Sequence, residues 1–96
     1  MTKIEFEKKF KSFCKERGVD LTDTKVYSLS EWVDRGEKFG NEAEFTIASE
    51  GGFYLFMNYG GDYDGWKFHT EFNKFLNDLD YAYEQGYAWT FHIYRL

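Results

Sequence analysis

Between Gly60 and Glu71 the carboxylates fall at a spacing that suits a calcium loop. With Gly60 as position 1, Asp62, Asp64, Gly65 and Glu71 stand at positions 3, 5, 6 and 12. The pattern is half complete. Gly60 brings no carboxylate, Lys67 and Phe68 stand where an apolar residue and an oxygen donor belong, and the preceding segment reads as a strand rather than a helix. A glycine-rich turn whose Asp64 caps the following helix fits the residues better. His69, Glu71 and Asp64 are the types that do acid–base chemistry. Two positions apart on a helix, however, His69 and Glu71 diverge by about 200° and form no dyad unaided. His92 belongs to the last strand and reads as a sheet-face or partner contact. Cys14 lies on the apolar stripe of the first helix, as a buried and inert thiol would. Two histidines and one cysteine make no tetrahedral zinc set without distant carboxylates. Neither Gly51-Gly52 nor Gly60-Gly61 has the lysine-Ser/Thr or Gly-x-x-Gly context of a phosphate loop. These residues imply no cofactor, no metal and no enzyme; a small histidine/carboxylate enzyme is the lesser alternative.

The elements that must position these residues follow from hydrophobic spacing. Thr2 to Arg17 reads as a helix, with Phe6, Phe10, Phe13 and Cys14 on one stripe, a Thr2/Glu5 capping box and Gly18 as its stop. Lys25 to Val33 alternates as a strand, in competition with a short helix from Ser30. Asp34 to Asn41 is a loop, and Ala43 to Ser49 a half-buried antiparallel strand. Glu50-Gly51-Gly52 reads as a hairpin turn leading into a central aromatic strand, Phe53 to Tyr59. In that strand Phe53, Leu55 and Met57 would face the core, and Tyr54 and Phe56 would face outward. Phe68, Phe72, Phe75, Leu76, Leu79 and Tyr83 predict a long helix with Gly86 as its C′ residue, leaving Trp66, Tyr81 and Glu84 on its outer side. Tyr87 to Arg95 alternates as the last strand. The order α-β-β-β-α-β predicts one compact domain over residues 1–96, of α+β class: a four-stranded, mainly antiparallel sheet with two helices on one face. The opposite face, bearing Thr46, Ala48, Tyr54, Phe56, Thr90, His92 and Tyr94, would be bare.

Charge narrows the partners. Six bases against three acids give residues 1–18 a balance of +3, so the remainder carries −8 of the net −5. From Phe39 to Trp66 there are five acids, Glu42, Glu44, Glu50, Asp62 and Asp64, and no base. Such a surface repels phosphate and attracts cations, so direct nucleic-acid binding is disfavoured even with aromatic rings to stack on. The longest apolar run, Phe53 to Met57, is far short of the roughly 18 residues of a membrane span. A single cysteine and an N-terminus without an apolar secretory region point to a soluble protein of the reducing cytoplasm. Aromatics at 23% exceed what so small a core requires, so some rings should be presented to a partner. The expectation is a small acidic protein-binding module, an inhibitor or adaptor that covers a basic, nucleic-acid-binding surface of a larger protein. Its size and charge are of the type of phage anti-defence proteins, anti-CRISPR inhibitors among them. Its partner-binding residues would be Glu42, Glu44, Tyr54, Phe56, Asp62, Tyr63, Asp64, Trp66, Tyr81 and Tyr94. The alternative is a self-associating structural protein, a homodimer that pairs the bare face across a two-fold axis.

Overall fold

Lys3–Glu16 forms helix α1 with the predicted capping box: the Glu5 amide donates to Thr2 Oγ1 at 3.2 Å, and Glu5 Oε1 accepts from the Thr2 amide at 2.8 Å. Phe6, Phe10, Phe13 and Cys14 are its buried residues. The structure, a computed structural model, describes residues 1–59 and 66–96.

The expected strand over Lys25 to Val33 is divided. Thr24–Ser28 is strand β1, and the short-helix alternative wins from Leu29, one residue earlier than expected, as α2 (Leu29–Asp34). The reason is a second capping box. The Glu31 amide donates to Ser28 Oγ, and Glu31 Oε1 accepts from the Ser28 amide at 2.8 Å. Those bonds, with that from Lys3 Nζ at 2.9 Å, hold the Glu31 carboxyl well down, at about 2. Ser28→Ala should cost about 1 kcal/mol in a urea melt, with Ser28→Asp retaining most of the stability; an unchanged midpoint for the alanine variant would show the hydroxyl to be idle.

The aromatic run expected as a central strand is instead a helix, α3 (Gly52–Tyr59). An unbroken apolar run fits both periods, and the period of 3.6 prevails: Phe53 and Met57, four apart, are buried, while Leu55 is 51% exposed. The Ser49 hydroxyl accepts from the amides of Gly51 and Tyr54, and so serves two of the donors that a helix start leaves unpaired. Gly51 and Gly52 form no hairpin. A Cβ on either would collide with the backbone carbonyl of Thr22 or Asp20, so these glycines let the chain pass close over the 20–22 loop.

Helix α4 (Lys67–Asp78) opens at Trp66 with no side-chain cap and ends sooner than its spacing implied. Asp80, at φ +65°, turns the chain out of the helix, and Tyr81–Gln85 is strand β3 rather than a last helical turn. Gly86 therefore lies in the short connection from β3 to β4 (Thr90–Arg95), not at a helix end. Phe45–Ser49 is β2.

The order is α-β-α-β-α-α-β-β, and the sheet runs β1-β2-β4-β3, antiparallel at every pairing. The chain thus has the α+β class and four-stranded antiparallel sheet that the sequence implies, with four helices rather than two among the described residues. Cross-strand partners share a face, so Val26, Ile47, Phe91, Ile93 and Tyr83 lie on one side. There they meet Phe6, Phe10 and Phe13 of α1, Phe53 and Met57 of α3, and Phe68, Phe72 and Leu76 of α4 in one core. The opposite side, expected bare, carries α2. Trp32 is fully buried against it, 5.7 Å from the His92 ring and 5.3 Å from Tyr27, and Thr46, Thr90 and His92 are buried as well.

Candidate functional site

Helix α2 and the 35–44 loop cover only part of the second sheet face, and the remainder joins residues from three segments. Glu84 on β3 stands opposite His92 on β4, and Ala82 opposite Tyr94. Tyr94 is half-buried. Its hydroxyl is held above the usual tyrosine range, first by burial and then by the negative charges of Glu84 and Glu42. Neither Glu42 nor Glu84 has an ion pair among the described residues, and both are exposed.

The same sheet face carries an aromatic ledge, joined to it through Trp32 and Gly86. Phe39, 46% exposed, packs edge-on against Tyr87 at 4.9 Å, and Tyr87 stacks parallel on Trp89 at 5.5 Å. Trp32 anchors the ledge from below by donating Nε1–H to the Phe39 carbonyl at 2.6 Å. Gly86 permits this approach, since a Cβ there would lie 3.0 Å from Phe39 Cβ. No family model, curated protein or solved structure matches this chain.

The residues expected to form one partner surface are divided between two. Glu42 and Tyr94 are brought together on the second sheet face. Glu44 lies close by but is engaged internally: Arg95 donates to both its oxygens at 3.0 Å, and the Tyr81 hydroxyl donates to it as well. Tyr81 itself is buried in the main core, correcting its placement on an outer helix face. Its phenol is pushed up to about 12, by burial first and then by Glu44. Tyr54, Phe56 and Trp66 belong to the helical layer on the other side of the sheet. There Phe56 packs on Phe68 at 4.9 Å, the Tyr54 ring lies 6.2 Å from Tyr59, and Trp66 is 76% exposed. Asp62, Tyr63 and Asp64, with most of the calcium-loop pattern and the expected Asp64 cap, lie outside the described residues. Glu71, the last position of that pattern, is paired with Arg17 at 2.6 Å. Among the described residues no group of three or more His, Cys, Asp or Glu is placed to hold a metal ion. Glu84 was legible only as part of a helix surface; the alternation Tyr81-Ala82-Tyr83-Glu84, which the helical spacing of Leu79 and Tyr83 obscures, is the signal that places it here.

Both histidines are tied into the fold. His69 Nε2 donates to the Met57 carbonyl, which can only accept, and Nδ1 pairs with the Tyr83 hydroxyl at 3.0 Å. The ring thereby joins α3, α4 and β3. His92 Nδ1 meets Thr46 Oγ1 at 3.0 Å, whereas Nε2 is buried without a hydrogen-bond partner among the described residues. Burial keeps His92 below the usual histidine range, although Glu84 pulls the other way. Burial also raises the Cys14 thiol to about 12, which leaves it protonated and unreactive at neutral pH.

An open groove of about 760 Å³ runs between α1 and α4 over Phe13, Phe75 and Leu79. Its banks carry four acids and four bases, including the Arg17–Glu71 and Lys74–Asp78 pairs, and so present no net charge to a ligand. Among the described residues, no helix is long and apolar enough to cross a membrane.

Proposed function

We propose that this chain is a protein-binding module that covers a basic, nucleic-acid-binding surface of a larger protein, as an inhibitor or adaptor of the phage anti-defence, anti-CRISPR type. The observation that carries this reading is the pair of carboxylates, Glu42 and Glu84, which have no ion pair among the described residues and both act on Tyr94, on the sheet face that also carries the Phe39-Tyr87-Trp89 ledge. Carboxylates so placed steer lysine- and arginine-rich surfaces at long range and stand where nucleic-acid phosphates would. The rings, held by Trp32 from beneath, supply rigid area that loses little side-chain entropy on contact. The self-associating alternative needs Tyr54, Phe56 and Tyr94 on one face, whereas the sheet separates Tyr94 from the other two.

The test uses a defined polycationic probe, a lysine- and arginine-rich peptide, in a binding titration at low and at high salt. Glu42→Lys/Glu84→Lys should weaken binding about tenfold or more and flatten its salt dependence. Glu16→Lys/Asp78→Lys changes net charge equally but lies along the α1–α4 groove, and should weaken binding far less. Equal losses from both double variants would mean that only net charge matters, and would overturn the assignment of this face.

A further inference from the structure

His92 is 2% exposed, and its Nε2 has no hydrogen-bond partner among the described residues although it lies beneath the second sheet face. The ring is held on every side. Thr46 of β2 bonds Nδ1, Trp32 of α2 lies over the ring, and Gly40 of the 35–44 loop passes too close to Nδ1 to admit a Cβ. On the far side a Cβ on Gly86 would come within 2.5 Å of Nε2, so the bare Gly86 backbone faces that nitrogen. The charged and titratable groups around it are few. Glu84 stands opposite on β3, and Glu42 acts on Tyr94, two residues further along β4. Arg35, at the end of α2, is stacked over Trp32 and Tyr27 and is bonded to the Tyr27 hydroxyl and Glu37. Tyr87 is turned into the ledge. A carboxylate is therefore the charged group nearest the orphaned nitrogen from the adjoining strand.

We propose that His92 is an acid-operated latch beneath the partner face: the neutral ring is the Nδ1–H tautomer donating to Thr46 Oγ1, the added proton goes to the bare Nε2, and the new Nε2–H finds its acceptor in Glu84, so that carboxylate is withdrawn from the basic partner. The latch rests on the partner-face reading for its purpose but not for its chemistry. Trp32 and the glycines enclose the ring, so the neutral imidazole is satisfied on one side only. An imidazolium there must find an anion or force the site open. Either response disturbs Trp32, Tyr94 and Glu84 together. The unfolded chain takes up this proton near the ordinary value of 6.5 and the folded chain only below it, so acidification from there downward lowers stability until His92 itself protonates.

The chain contains two histidines, and His69→Gln assigns the remaining ring resonance to His92 in an NMR titration. In the wild type that resonance should titrate below 6.5, with Trp32 and Tyr94 signals moving at the same midpoint. Glu84→Gln should shift the midpoint lower by about 1 pH unit, since it removes the anion that favours the imidazolium. A midpoint identical in the wild type and Glu84→Gln, or a His92 titration that leaves Trp32 and Tyr94 unmoved, overturns the latch. None of these readings needs a partner. With the cationic peptide, the wild type should lose affinity several-fold between about pH 7.5 and about pH 5, and Glu84→Gln should show little pH dependence. A Glu84-dependent titration without peptide binding at neutral pH would leave the latch standing and the partner-face reading refuted.

Discussion

Phe53→Ala is expected to remove about 3–5 kcal/mol of stability, enough to unfold a large fraction of a domain whose total is about 5–15 kcal/mol. The Phe53 ring has no exposed surface and is ringed by Phe10 at 5.0 Å, Phe91 at 5.1 Å, Phe72 at 5.2 Å and Phe68 at 6.0 Å, all edge-on. One side chain thus joins α1, α3 and α4 to β4. Its deletion leaves a cavity lined by stiff aromatic rings, which collapse into the space less readily than aliphatic chains. The informative comparison is Leu55→Ala. In an alternating strand Phe53 and Leu55 would share the buried face and both losses would be large. In the helix Leu55 is turned to solvent, and its truncation should cost less than about 1 kcal/mol. Urea melts of the two variants measure both quantities. Similar losses would contradict the helical assignment of Gly52–Tyr59.

That contrast also shows how far residue spacing reveals this fold. Helix α1 is legible because three independent signals agree: the Thr2/Glu5 box, the stripe from Phe6 to Cys14 and the glycine stop. Strand β4 is legible from alternation, with Phe91 and Ile93 in the core. Where apolar residues occupy consecutive positions, spacing carries no such information. Phe53, Phe56 and Met57 fit a helix as well as Phe53, Leu55 and Met57 fit a strand, and the close passage of Gly51 and Gly52 over the 20–22 loop decides between them. That passage is a long-range contact, invisible to a local pattern. The reverse occurs at Leu79 and Tyr83, whose helical spacing is accidental because Asp80 takes a left-handed conformation between them. This displaces Glu84 from a helix surface to a strand opposite His92, and with it the centre of the candidate site. Of the expected partner residues Glu42 and Tyr94 converge with Glu84. Glu44 and Tyr81 do not join them, because Arg95 engages the first and the core takes the ring of the second, and neither contact has a local signature.

Gly40→Ala should be the most damaging single methyl group that can be added near the site, at a cost of about 3 kcal/mol, the sum of two effects. Gly40 has φ +73°, where an alanine costs about 1–2 kcal/mol in backbone strain. The new methyl would in addition fall on the His92 ring, and overpacking of this kind costs about 1–3 kcal/mol. The ring cannot swing aside, since Thr46 holds Nδ1 at 3.0 Å and a shift the other way closes on Gly86. Gly36→Ala separates the two effects. Gly36 has the same φ of +73°, but a methyl there would meet nothing within 4 Å, so backbone strain alone should be felt. Combining Gly40→Ala with His92→Ala should recover part of the excess, because the smaller side chain vacates the space that the methyl claims. Thermal or urea melts of the three variants test this. Equal costs for Gly40→Ala and Gly36→Ala would mean that the 35–44 loop does not press on His92, and the enclosure that leaves Nε2 without a partner would then have to be abandoned.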